Sequence, residues 1–183
     1  MPEPASARVF FALWPDPEVR QALMQVALKM RRQVDGKLTH EASVHMTLLF
    51  LGDVPVERLS VLTDLAAGVP FEAFTLHMGK ADCWKHNKIA WVAPSTTPPP
   101  LTGLVASLER RVGTEGFDFD ARPFAPHVTL VRKARCAPLE LKLPAILWEV
   151  REFVLVRSEL GGNGSRYRQI GRWPPVSLAG SSV

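Results

Sequence analysis

Cysteine is scarce in this chain. Only Cys83 and Cys136 occur among 183 residues. Two cysteines do not make the disulfide framework of a small secreted domain, so two free thiols in a reduced, cytoplasmic protein are the expectation. Long apolar runs are also missing. No stretch approaches the ~20 residues of a membrane helix. The apolar segment 9–14 is too short for a signal-peptide core and lacks a credible cleavage site. No glycine-rich fingerprint of a dinucleotide fold is present. Residues 161–165 (GGNGS) lack the Lys-Ser/Thr ending of a P-loop and read as a hairpin turn. His40, His77 and His86 remain as scattered histidines. With Asp82 and Cys83 they match no compact zinc ligand set, and Cys136 is remote in sequence, so neither metal nor cofactor is expected.

What remains is an ordinary globular composition, 46% hydrophobic and 22% charged. The length suits a single domain, taken as residues 1–176, of two small lobes sharing one core, with a disordered tail at 177–183. Lys and Arg number 22 against 18 Asp and Glu, a net charge of +4. That mild positive excess fits an anionic ligand such as RNA. No coiled-coil or interface pattern is visible, so a monomer is the default.

Residues 8–14 (RVFFALW) read as a buried strand. Asp16-Pro17 is a helix start, and Val19, Leu23, Val26, Ala27 and Met30 follow with helical spacing. Residues 44–51 read as a strand and 56–67 as a second helix. Residues 71–83 are extended, 88–93 a short strand, 94–100 a proline-rich connector and 101–112 a third helix. Residues 117–126 are irregular. Residues 148–160 and 166–173 are β-rich around the glycine turn. Hairpins and short loops favour antiparallel sheets. The expected class is α/β in the loose, α+β sense. Two similar lobes with largely antiparallel sheets form a central cleft, and the helices pack outside.

The most informative feature is a repeated phrase. VHMTL at 44–48 returns as PHVTL at 126–130. Side chains at i and i+2 of a strand share a face. Each copy therefore aims one imidazole and one hydroxyl the same way. Two such pairs facing one cleft would supply two titratable bases and two neutral donors. A single His-x-Thr is commonplace. Two copies in matching apolar contexts, 82 positions apart, point to a shared site.

The paired motifs resemble those of the 2H phosphoesterase superfamily. The flanks 8–13, 44–54 (VHMTLLFLGDV), 123–134 (PFAPHVTLVRKA) and 156–174 are similar to the RNA 2′,3′-cyclic phosphodiesterases, also called 2′-5′ RNA ligases. That resemblance implies metal-independent hydrolysis of a 2′,3′-cyclic phosphate RNA end to a 2′-phosphomonoester. It implies His45 as proton donor and His127 as proton acceptor. The two contexts look alike, and the residues themselves do not assign these roles. Thr47 and Thr129 would hydrogen-bond the non-bridging oxygens. The resemblance also suggests Arg132 on the phosphate and Phe11 as an aromatic near the base. Strict alternation opposes Arg132, which falls with Val128 and Leu130 unless the strand bulges. Phe10 and Phe11 in an apolar run also fit a core, as do Trp84, Trp91 and Trp148. Tyr167 fits either the cleft border or a plug on the core, and Lys133 and Arg135 a general basic rim. Competing readings are an ATP-independent 2′-5′ RNA ligase, a non-catalytic RNA-end binder, and a relative acting on small cyclic nucleotides.

Overall fold

In a computed structural model of the chain, described for residues 5–161 and 164–175, nine strands form two antiparallel sheets. The first sheet has the order β3-β1-β8-β9, made from β1 (Ser6–Leu13), β3 (Met46–Pro55), β8 (Phe153–Gly161) and β9 (Gly164–Trp173). The second has the order β2-β6-β5-β4-β7. Its members are β2 (Lys37–Leu38), β4 (Phe74–Trp84), β5 (Ile89–Pro94), β6 (Val128–Arg132) and β7 (Ile146–Val150). The tail expected from residue 177 and the turn at Gly162-Asn163 lie outside the described residues. This is a mixed α+β fold, as the alternation of short strands and amphipathic helices implies.

The helices follow local chemistry. The Asp16 carboxylate accepts a 2.9 Å hydrogen bond from the Val19 amide and caps α1 (Pro17–Val34), with proline in its first turn. The helix buries Val19, Leu23, Val26, Ala27, Met30 and Val34, a stripe of helical period. Helix α2 (Leu59–Ala67) is shorter than the expected 56–67, because Val56–Arg58 forms a 3-10 turn. Helix α3 (Pro99–Thr114) begins inside the expected connector. Pro99 and Pro100 occupy its first turn, where a missing amide costs no helical bond.

The lobes are interlaced rather than sequential. Helix α1 leaves the first sheet and packs on β6 and β7 of the second, whereas α3 packs on β3 of the first. The first sheet draws strands from both chain ends. One buried apolar cluster runs from Val9, Phe11 and Leu13 through Leu23 and Met30 to Leu130 and Trp148, and so joins both sheets. A second, smaller cluster lies on the other face of the first sheet. It consists of Phe10, Ala12, Val154 and Val156, with Trp14, Phe50 and Tyr167 against it. Each sheet thus carries one copy of the repeated motif, on β3 and β6.

One expectation fails outright. Cys83 and Cys136 are not free thiols but a disulfide pair, with Cα atoms 5.4 Å apart. Cys83 near the end of β4 and Val131 of β6 flank Ala90 of β5 on its two sides, and the chain leaving β6 passes the start of β5, so residues 53 apart in sequence meet. The absence of a multi-cysteine framework says nothing about a single bridge, and it does not support a reduced compartment. Closing a loop of that length restrains the unfolded chain by about 4 kcal/mol in the chain-entropy picture. Thiol titration of the denatured, unreduced protein is therefore expected to find no free cysteine. Reduction should lower the unfolding free energy by about 2–4 kcal/mol in a denaturant titration.

Candidate active site

The two motifs adopt the same local geometry. His45 and His127 each sit one residue before their strand, not inside it as the apolar run suggested. The Nδ1 of His45 lies 2.7 Å from the carbonyl oxygen of Ser43, and the Nδ1 of His127 lies 2.7 Å from that of Ala125. A carbonyl only accepts, so each Nδ1 carries the hydrogen and each Nε2 is left for chemistry. Nε2 of His45 is 3.0 Å from the Thr47 hydroxyl, which donates to the neutral ring.

A bulge follows each threonine. On β6, Trp91 pairs with Thr129 and Ala90 with Val131, which leaves Leu130 without a partner. On β3, Ala12 pairs with Thr47 and Phe11 with Leu49, which leaves Leu48 without one. One extra residue inverts the alternation beyond it. Leu48 and Leu49 are both buried, as are Leu130 and Val131. The third residue after each threonine, Phe50 or Arg132, returns to the threonine's face. This answers the objection to Arg132. The doublets Leu48-Leu49 and Leu130-Val131, adjacent apolar residues in otherwise alternating strands, were the sequence signal for the bulges.

The motifs converge. Thr47 and His127 line one cavity of about 470 Å³ together with Phe50, Trp84, Asp120 and Phe124. Burial pushes the His45 pKa down to about 4, and the positive charges of Arg132 and His127 push the same way, while its bond to the Ser43 carbonyl opposes. The more open His127 is also lowered, by burial and then by Arg132, against its bond to Ala125. Arg132 therefore lies within electrostatic reach of both imidazoles.

Aromatic rings enclose His45. Trp14 stacks on it at 5.0 Å and 5° between planes, Phe10 lies at 5.0 Å, and Tyr167 presents its edge at 5.4 Å. Tyr167 thus borders the cleft. Trp84 sets its edge 4.7 Å from His127. Trp84, which fits a core from the sequence, thus lies against His127, and Trp14, which no motif singles out, lies against His45. Phe10, Ala12 and Trp14 share one parity along β1, which was the signal available. Phe11 does not meet the cleft. It has the opposite parity, is fully buried, and packs on Phe153 and Trp173, so it offers a base no surface. The sketched zinc grouping loses Cys83 to the disulfide. Among the described residues no group of three His, Cys, Asp or Glu could hold a metal ion. No described helix is long and apolar enough to cross a membrane.

Comparison with known proteins agrees with this geometry. The 2′-5′ RNA ligase superfamily model matches residues 15–162. The RNA 2′,3′-cyclic phosphodiesterase of Escherichia coli is 30% identical over 91% of this chain and 95% of its own length. The protein of that name from Thermus thermophilus is 33% identical over 87% of this chain and 86% of its own. The crystal structure of E. coli LigT complexed with 3′-AMP superposes with a TM-score of 0.85 at 28% identity, over 93% of this chain and 99% of that one. The chain belongs to the 2′-5′ RNA ligase superfamily, the 2H phosphoesterases.

The histidine environments lead to a titration prediction. Both rings are harder to protonate folded than unfolded, so the unfolded state binds more protons below pH 6.5. The neutral His45 ring favours folding fully above that pH, and its contribution is lost as pH falls toward about 4. NMR titration should find the His45 midpoint near 4, and H45N should lose less stability than the native chain between pH 6.5 and 4. A His45 midpoint near 6.5 would contradict the enclosure.

Proposed function

We propose that the chain is an RNA 2′,3′-cyclic phosphodiesterase acting by paired-histidine acid/base catalysis without a metal. The observation that carries this reading is the pair of Nδ1-anchored imidazoles, one from each sheet, with Arg132 in electrostatic reach of both. The names of the E. coli and T. thermophilus relatives support RNA with a 2′,3′-cyclic phosphate as the substrate.

In this scheme the cyclic phosphate lies between the two Nε2 atoms. Nε2 of His127 takes a proton from water as the water oxygen bonds to phosphorus. The bond from phosphorus to the ribose 3′ oxygen breaks, and Nε2 of His45 protonates that oxygen, leaving a 2′-phosphomonoester. Thr47 and Thr129 donate to the non-bridging oxygens, and Arg132 balances the charge that builds there. The Thr47 hydroxyl, engaged with His45 in the free protein, turns to the phosphate when the ring is protonated. Desolvation resists charging His45, and the bound phosphodiester anion counteracts that resistance.

The same groups run in reverse would join a cyclic phosphate to a 5′-hydroxyl, so ligation is the second reading. Water at bulk concentration favours hydrolysis. An RNA terminated in a 2′,3′-cyclic phosphate, incubated with excess EDTA, should give a 2′-phosphate end. H45A and H127A should each reduce turnover at least ~100-fold with an unchanged circular dichroism spectrum. Near-native turnover in either variant would overturn the assignment. The kcat/KM profile should be bell-shaped with its optimum below pH 6.5, since both free-enzyme pKa values are lowered. The kcat profile should move to higher pH, because the bound anion favours protonated rings.

A further inference from the structure

We propose that Lys85, Lys88, Lys133 and Arg135 form a second phosphate-binding subsite, which holds a backbone phosphate of the RNA strand upstream of its cyclic end. The proposal rests on the RNA reading above and extends it beyond the reacting nucleotide. The four side chains line one cavity of about 440 Å³ with Ala134 and Cys136, and no acidic residue shares it. Among the described residues no salt bridge involves Lys85, Lys88 or Lys133. Arg135 has one loose pairing with Asp35 at 3.9 Å, both highly exposed.

Two backbone facts set this cluster apart from a scatter of surface cations. Lys88 and Lys133 both have positive φ, 57° and 54°. That left-handed region is where glycine or asparagine sits at least cost, and a lysine there is strained. The two strained residues end neighbouring strands, since Ile89 pairs with Arg132. The Ala134 amide donates to the Lys88 carbonyl at 2.9 Å, and the Cys83–Cys136 bridge ties the same two segments together. The cations are thus held on a braced frame and converge on one pocket, the geometry a phosphate requires.

The pocket lies across the β4–β5 turn from the cavity that holds His127: Trp84, His86, Asn87 and Ile89 line that cavity, and the intervening Lys85 and Lys88 line this one. A strand whose cyclic end lies between the imidazoles would reach these lysines by crossing the β4–β5 turn. Phosphate contacts of this kind add affinity and positioning without base preference.

The test compares a 2′,3′-cyclic mononucleotide with a short oligonucleotide bearing the same end, at low salt. In K88Q/K133Q and K85Q/R135Q, kcat/KM for the oligonucleotide should fall at least ~10-fold through KM, with a shallower salt dependence. Mononucleotide turnover should stay at the native level. K88G/K133G removes the same charges and the strain. It should match or exceed the native Tm while showing the same oligonucleotide loss. Unchanged oligonucleotide kinetics in these variants would overturn the subsite, and so would an equal loss on both substrates. Fluorescence anisotropy with a 2′-phosphate-terminated oligonucleotide reads the subsite separately. If the native protein hydrolysed neither substrate, the catalytic reading would fail while this binding comparison still decided the subsite.

Discussion

A hydrogen bond from each imidazole Nδ1 to the carbonyl two residues earlier fixes what the rest of the site can do. It sets the tautomer and aims Nε2 away from the backbone, and it does so identically at Ser43-His45 and Ala125-His127. An exposed histidine before a strand would otherwise rotate freely about two side-chain torsions. Anchored this way, each ring is ordered before any ligand arrives, which would reduce the entropy cost of bringing the two proposed catalytic groups to one phosphorus. The two sheets then need only meet at the right distance. The apolar cluster shared between them supplies that constraint.

The symmetry is local, and its departures carry the chemistry. Both strands bulge one residue after the threonine, yet the side chain returned to the cleft is Phe50 on one and Arg132 on the other. His45 lies among Trp14, Phe10 and Tyr167, whereas His127 meets one ring edge, from Trp84. One half of the cleft is therefore apolar and desolvated, and the other is cationic and more open. In the free protein this makes His45 the ring that resists protonation, so its proposed role as the acid depends on a bound phosphodiester anion to raise its proton affinity.

Much of this was legible in the sequence, and the rest was hidden for identifiable reasons. The His-x-Thr pairs stood out because a strand's period of two is simple and the flanking residues alternate cleanly. Helix α1 was legible from its Asp-Pro start and apolar stripe. Strict alternation opposes Arg132 and only a bulge admits it; the two adjacent apolar residues Leu130 and Val131 mark where that bulge falls. The resemblance suggests Phe11, whereas Phe10 and Trp14 hold the cleft parity; an all-apolar strand has no polar residue to fix which face is which. The bridge between Cys83 and Cys136 depends on β4 and the segment after β6 meeting at one end of β5, a long-range arrangement that no local pattern encodes. The interlacing of α1 over the second sheet was hidden for the same reason.

In the proposed function, imidazole–hydroxyl pairs from the two sheets hold a single phosphorus between them. A crystal structure with a nucleoside vanadate, which mimics the five-coordinate transition state, decides this. It should show one vanadium centre with Nε2 of His45 and of His127 on opposite sides, within hydrogen-bonding distance of its apical oxygens, and with both threonine hydroxyls on equatorial oxygens. A vanadate bound to only one histidine, or bound away from both, would contradict it.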